Sequence, residues 1–270
     1  MGRLTVSSRQ NPLVKSVCGL TEKKNRAQTG LFRFDGIKLL CEILSTDATI
    51  RYVICSESCE DRVRDAIEDA LARERLVEQN IVEVTDSVFQ KISDERSPEG
   101  VITVVGFLDE LHIKSEELPM GKILVAESLR DPGNLGTIIR SCYALGIDTL
   151  VLTDDCADVY NPKTIRAAMG AAFRQKTQTV PLGKLPELIL RLKDSGRRVY
   201  AAALNSCSAD IRDVVIREGD CFVIGNEGHG LSDGAVRACT GSVIIPMRAD
   251  AESLNAAAAA AICIWETVKA

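Results

Sequence analysis

Three polar stretches, set between apolar runs, hold the residues of this 270-residue chain best suited to chemistry. The first is Asn134-Leu-Gly136-Thr-Ile-Ile-Arg140, an amide and a guanidinium roughly 240° apart around one helix. Arg140 sits among Ile138, Ile139 and Leu145, so its burial there would require an anionic ligand or a nearby acid. The second, Gly225-Asn226-Glu227-Gly228-His229-Gly230, follows the apolar run Cys221 to Ile224. Glycines so clustered permit positive φ angles and close approach of backbone to a ligand. The third follows the apolar run Val243 to Ile245. It continues from Pro246 and Met247 to Ser253-Leu254-Asn255, which opens an alanine-rich helix from Ala256 to Val268. Ser253 suits either a site or an N-cap. Each glycine stretch alone is equally an ordinary tight connection; two polar loops beside strand ends favour one wall of a small-molecule site.

Familiar alternatives fail. There is no Gly-x-x-x-x-Gly-Lys-Ser/Thr and no Gly-x-Gly-x-x-Gly in the chain, and two histidines leave little room for a Ser-His-Asp system. With two histidines and no Cys-x-x-Cys pair, zinc-ligand spacing is absent and no metal is expected.

The elements that must position these residues follow from periodicity. Strands are expected at Ile123 to Ala126, Thr149 to Thr153, Thr177 to Val180, Val199 to Ala203, Cys221 to Gly225 and Val243 to Ile245. Helices alternate with them, at Asn161 to Ala172 and Leu185 to Ser195 among others. This is an α/β pattern with a mostly parallel sheet covered on both faces, whose ligands sit outside the carboxyl ends of the strands. Glu127, Asn205, Gly225 and Pro246 all follow strands and share one expected rim. After Asp131-Pro132, Asn134 or Gly133 is expected to cap the next helix.

Residues 1–108 form a smaller α/β unit of their own, joined by a polar, acidic linker, 109–120, to a domain at 121–270. A basic helical stretch is expected from Pro12 to about Arg26. The chain carries a net charge of −5, yet residues 1–40 hold eight Lys or Arg against two acids. A basic face on an acidic body suits a polyanion, or is simply a solvated helix face. Ten cysteines lie mostly in or beside apolar runs and no secretory signal is present, so they read as reduced, buried small hydrophobes in a cytoplasmic protein. The longest apolar run, Ala256 to Trp265, is half of what a membrane span needs.

Asn134-x-Gly136-x-x-x-Arg140, Gly225-Asn-Glu-Gly-x-Gly-Leu231, and Ile245-Pro-Met247 with Ser253-Leu-Asn255 resemble, in order and spacing, the three motifs of the SpoU/TrmH branch of the SPOUT RNA methyltransferases. Arg166-Ala-Ala-Met-Gly170-Ala-Ala-Phe173 is similar to a further segment of that family. Ser8-Arg-Gln-Asn-Pro12, Lys15 and Gly36 resemble the ribosomal-protein-L30e-like RNA-binding domain often fused to it, with Glu99 where glutamine is usual. The resemblance implies a deep trefoil knot in the parallel-sheet domain, a homodimer, and methyl transfer from S-adenosylmethionine to an RNA ribose 2′-hydroxyl. Ribosomal RNA is favoured by the L30e-like domain; transfer RNA and a non-catalytic RNA-binding factor are the alternatives. By the same resemblance Asn134, Arg140, Glu227, Ser253 and Asn255 are catalytic. Leu204, Gly225, Asn226, Gly228, Ile245, Met247 and Leu254 hold the cofactor. Arg9, Lys15, Lys23, Lys24 and Arg26 contact RNA phosphates. Glu227 is expected to orient Arg140 or a neighbouring amide; His229 is left out, because its position in the motif varies.

Overall fold

The computed structural model describes residues 3–95, 97–205, 207–248, 250 and 253–269. The chain divides into two compact units, Met1–Leu108 with Tyr160–Phe173, and Asp109–Val159 with Arg174–Ala270.

The first unit is built on strands β1 (Leu4–Val6), β2 (Leu31–Asp35), β3 (Ile50–Ser56), β4 (Ile81–Val84) and β5 (Val101–Gly106), in sheet order β1-β4-β3-β5-β2. Its helices are α1 (Pro12–Gly19), α2 (Lys23–Thr29), α3 (Ile37–Leu44), α4 (Asp61–Ala72) and α5 (Asp86–Ile92). Val14, Val17, Val88 and Phe89 pack with Ile54 and Ile102 into one core. Leu40, Val63 and Ile67 pack with Val53 and Val101 into another. The alternation of Val53, Ile54 and Cys55 between these cores is the period of two of a strand covered on both faces.

The basic stretch expected as one helix is two, because Arg26 folds back between them. Its guanidinium donates to the carbonyls of Leu20 and Thr21 at 2.8 and 2.7 Å, groups that the end of α1 leaves without helical partners.

The second unit carries an eight-stranded sheet in which every paired neighbour is parallel. Its strands are β6 (His112–Ile113), β7 (Ile123–Ala126), β8 (Thr149–Thr153), β9 (Lys176–Val180), β10 (Val199–Ala202), β11 (Ala209–Asp210), β12 (Cys221–Ile224) and β13 (Gly241–Ile244). Their order is β11-β13-β10-β12-β7-β8-β9-β6. The helices of this stretch are α6 (Pro132–Leu145), α7 (Pro162–Ala168), α8 (Leu185–Asp194), α9 (Asp233–Ala238) and α10 (Ala256–Lys269). Ile123, Val125, Val151, Val199 and Val223 pack against Leu188, Ile189 and Leu192 of α8 and Ala235 of α9. Helices α6 and α10 pack on each other and on β8 and β12 through Ile138, Ile139, Cys142, Ala260 and Cys263, all buried. The small alanine side chains of α10 let it lie close to its neighbours.

Helix α7 belongs to the first unit, where Tyr160 stacks on Phe32 with ring centroids 4.5 Å apart and Phe173 lies 5.0 Å from Phe34. The helix expected from Asn161 to Ala172 is interrupted at Met169, whose φ of 55° ends α7 in a single turn of tighter helix. Cys55, Cys59, Cys142, Cys156, Cys221, Cys239 and Cys263 are buried and free, and burial pushes the Cys221 thiol up to about 12. Among the described residues, no helix is long and apolar enough to cross a membrane, and no cluster of three potential metal ligands occurs.

Candidate active site

Because β13, β10, β12 and β7 are adjacent and parallel, the loops that leave their carboxyl ends share one rim. The loop after β12 is closed on itself. Asn226 and Gly230 exchange backbone hydrogen bonds of 3.0 Å in both directions. The Asn226 side chain accepts from the amides of Gly228 and His229 at 2.8 and 3.1 Å and donates to the Ser128 carbonyl at 2.7 Å. A β-carbon on Gly225 would lie 2.4 Å from the Gly230 carbonyl carbon, so only glycine lets the loop close this tightly.

The cap of α6 is Asp131, not Asn134 or Gly133: its carboxylate accepts from the Asn134 amide at 2.7 Å, with Pro132 in the first turn. That leaves the Asn134 side chain for other work. Its Nδ2 donates to Glu227 Oε1 at 2.9 Å, and its Oδ1 accepts from Asn255 Nδ2 at 2.9 Å. Asn255 in turn caps α10, accepting from the amides of Ala257 and Ala258 at 2.9 and 3.3 Å, a role the sequence also allowed for Ser253. Three residues from three separate segments, the first turn of α6, the loop after β12 and the start of α10, therefore form one hydrogen-bonded chain, Asn255 to Asn134 to Glu227.

Arg140 and Ser253 are not tied into this chain. Both are exposed, and neither side chain makes a hydrogen bond or ion pair with another described residue. Arg140 thus escapes the burial cost that its apolar neighbours suggest, because it faces out of α6 while Ile138 and Ile139 face in. Of the two orienting roles open to Glu227, the structure displays the one toward an amide, that of Asn134.

On the same rim Leu204 and Leu254 are exposed and Ile245 and Met247 half-buried. Leu204, Met247 and Leu254 make no hydrogen bond among the described residues, so their backbone groups are open to a ligand. The Gly228 amide is occupied by Asn226.

Beside Glu227 lies a cavity of about 640 Å³, lined in part by Glu127, Ser128, Arg130, Asp155 and Asn226. Ser128 has a φ of 56°, and its amide donates to Thr153 Oγ1 at 2.8 Å. Asp155 accepts from Ser128 Oγ, Thr153 Oγ1 and Arg130 at 2.6, 2.6 and 2.7 Å. Burial pushes the Asp155 carboxyl up, but the bonds from Ser128 and Thr153 and the Arg130 charge outweigh it and hold the group below its usual range. Sequence reasoning noted Glu127 and Ser128 only as a strand end and missed Arg130 and Asp155, which meet through loops of different strands.

In the first unit Arg9, Lys15, Lys23 and Lys24 are exposed. Arg26, assigned to phosphate contact from the sequence, is only 1% exposed and its guanidinium serves the end of α1, so it leaves that set. Glu99 accepts from the Ile37 amide at 2.7 Å and pairs with Arg62 at 2.8 Å; it caps α3.

A family model described as SpoU rRNA methylase matches residues 121–265, and one described as MRM3-like substrate binding domain matches residues 11–103. The chain is 30% identical to the 23S rRNA (guanosine(2553)-2′-O)-methyltransferase RlmP of Bacillus subtilis (strain 168), covering 96% of this chain and 97% of that one. It is 29% identical to the 23S rRNA (uridine(2479)-2′-O)-methyltransferase of Streptomyces viridochromogenes over 71% of this chain and 67% of the relative. An AdoMet-bound rRNA methyltransferase from Sinorhizobium meliloti superposes with a TM-score of 0.82 at 28% identity, covering 98% and 97% of the two chains. The match at 121–265 spans every loop of the rim just described, and with it more than half of the sequence: the chain belongs to the SpoU rRNA methylase family.

Proposed function

We propose that the protein transfers a methyl group from S-adenosylmethionine to a ribose 2′-hydroxyl of ribosomal RNA. The observation that carries this reading is the chain Asn255–Asn134–Glu227, which locks three otherwise distant motifs into one polar surface beside apolar rim residues. The residues present fit the cofactor. Leu204 and Leu254 offer exposed apolar side chains to a purine ring, and the open backbone groups of Leu204, Met247 and Leu254 offer hydrogen bonds to its edge. Bound there, S-adenosylmethionine supplies a methyl group already made electrophilic by its sulfonium.

What this chain must do is align the acceptor and handle one proton. Arg140, exposed and unpaired among the described residues, is free to hold the nucleotide phosphate and polarise the hydroxyl. It does not take the proton, because a guanidinium stays charged throughout the working pH range; the proton is lost late, to solvent, after the carbon–oxygen bond has formed. Asn134, its amide orientation fixed by Glu227 on one side and Asn255 on the other, positions the ribose with a second N–H still available. Ser253, exposed on the same loop, lies on the ribose side in this reading. Arg9, Lys15, Lys23 and Lys24 make phosphate contacts from residues 1–108, which act as the substrate-binding domain, and residues 121–270 form a knotted transferase domain. A second copy of the chain covers exposed Tyr143 of α6 and Trp265 of α10, completing a homodimer.

The test uses radiolabelled S-adenosylmethionine with unmodified ribosomal RNA and ribosomal subunits, followed by digestion to nucleosides. Label in 2′-O-methylnucleosides is expected with the wild type and not with Arg140→Ala. Label on a base refutes the acceptor assignment, and no label on either substrate refutes the enzyme reading.

A further inference from the structure

The cavity beside Glu227 contains a carboxylate that the proposed methyl transfer does not use. Glu127 is only 2% exposed, and its Oε2 accepts from the Ser232 amide at 2.9 Å. Its other oxygen has no hydrogen-bond partner among the described residues, although the side chain lines the cavity. That oxygen is open to the cavity, where a ligand N–H that reached it would make a charge-assisted hydrogen bond. Resting on the reading above, we infer that this cavity receives the base of the acceptor nucleotide and that Glu127 selects guanine.

The alternatives are narrowed by charge and by which groups remain free. Glu127, Asp155 and Glu227 face a single strong cation, Arg130, so the cavity repels phosphate and suits a neutral ring rich in N–H donors. Asp155 already accepts three hydrogen bonds, and both ends of the Asn226 amide are occupied. The free groups are the open oxygen of Glu127, the second oxygen of Glu227 and the remaining N–H groups of Arg130. Guanine presents adjacent N1–H and N2–H₂ donors on one edge and O6 and N7 acceptors on the other, which match carboxylate and guanidinium respectively. Uracil places carbonyls on both sides of its single N–H, where a carboxylate would be repelled. Leu182 and Leu231 supply apolar surface for the ring faces, and about 640 Å³ accommodates a nucleoside. Sequence-specific RNA recognition commonly splays a base out of its stack and reads its Watson–Crick edge. Glu227 belongs to both regions, lining the cavity while it holds Asn134, so a base in the cavity brings its ribose toward the proposed acceptor site.

The decisive variant is Glu127→Gln. The glutamine carbonyl still accepts from Ser232, while its NH₂ replaces the open oxygen, so the cavity meets a donor where it had an acceptor. Calorimetric titration with guanosine, inosine and uridine at millimolar concentration is the direct readout. Wild type is expected to bind guanosine at least tenfold more tightly than inosine, which lacks the 2-amino group, or uridine. The glutamine variant is expected to lose that preference while binding S-adenosylhomocysteine within twofold of wild type. Equal binding of the three nucleosides, or an unchanged preference in the variant, overturns the inference. Label appearing in 2′-O-methyluridine or 2′-O-methylcytidine overturns it too, while leaving the transferase reading intact. A guanosine preference that vanishes in the variant, in a protein that transfers no methyl group, supports the pocket and refutes the transferase reading.

Discussion

The hydrogen bond from Asn134 to Glu227 can be inverted without changing the size of either side chain, which makes it the sharpest test of the proposed site. Asn134→Asp replaces the donor with a carboxylate about 3 Å from the Glu227 carboxylate, given the present 2.9 Å contact. Two unit charges at that separation repel by about 1.4 kcal/mol in water and about 5.5 kcal/mol at an effective dielectric of 20. Glu227 is exposed, so the lower figure governs, and loss of the hydrogen bond adds about 1 kcal/mol. A total of about 2–3 kcal/mol corresponds to a fall in kcat/KM of about 30- to 150-fold. Thermal stability should hardly change, because the pair is not in the core. Glu227→Gln alone costs less, since its carbonyl still accepts from Asn134. In the double variant Asn134→Asp, Glu227→Gln the glutamine NH₂ donates to the new carboxylate and the contact is restored with its polarity reversed. The double-mutant cycle on methyl transfer should therefore show a favourable coupling of about 2 kcal/mol, with activity recovered well above that of Asn134→Asp. Simple additivity of the two losses would refute the claim that this contact positions the acceptor.

Three further outcomes follow from the geometry. Gly225→Ala places a β-carbon 2.4 Å from Gly230 backbone, so cofactor affinity measured by calorimetry should drop at least tenfold, whereas Gly228→Ala, which meets only the Asn226 side chain at 3.5 Å, should bind nearly as wild type. Replacing Lys15, Lys23 and Lys24 together with glutamine should weaken RNA binding and lower the slope of log K against log salt by about 2–3; an unchanged slope means that these lysines are merely solvated. Burial holds His112 below its usual value against the raising influence of Asp109, Glu110 and Asp158. The unfolded chain therefore takes up this proton first, and stability is lost as pH falls below about 6.5. Melting temperatures between pH 8 and 5.5 should decline less steeply for His112→Gln than for wild type.

How much of this was legible in the sequence depends on the range of the interaction involved. The strands at 123–126, 149–153 and 221–224 were plain, since each is a short apolar run buried on both faces. Their common rim followed from parallel pairing alone. Helix caps were less legible, because Asp131, Gly133 and Asn134 all suit the position and only the fold decides among them. Arg26 misled for a related reason. Its charge is visible in the sequence, but the two carbonyls that bury it exist only once α1 ends at Gly19. The Arg130–Asp155 pair was invisible because its partners belong to loops after different strands, 25 residues apart, and nothing local marks either residue.

The strand order also explains why a polar chain so scattered in sequence costs little to assemble. Residues 134, 227 and 255 are separated by 93 and 121 positions along the two contacts that join them. Closing such intervals in a flexible chain would carry a substantial entropy cost. Here the cost is met by the sheet and helices, which bury their apolar side chains whether or not the polar contacts form. Asp131 fixes the start of α6 and Asn255 fixes the start of α10, and these two helices pack directly on each other. Asn134 therefore meets Asn255 as a consequence of helix packing, and it meets Glu227 because Asn226 ties the β12 loop back to Ser128 after β7. The site is thus positioned by its caps and loop locks, so loosening Asp131 or Asn226 should impair transfer even though neither residue need touch the acceptor.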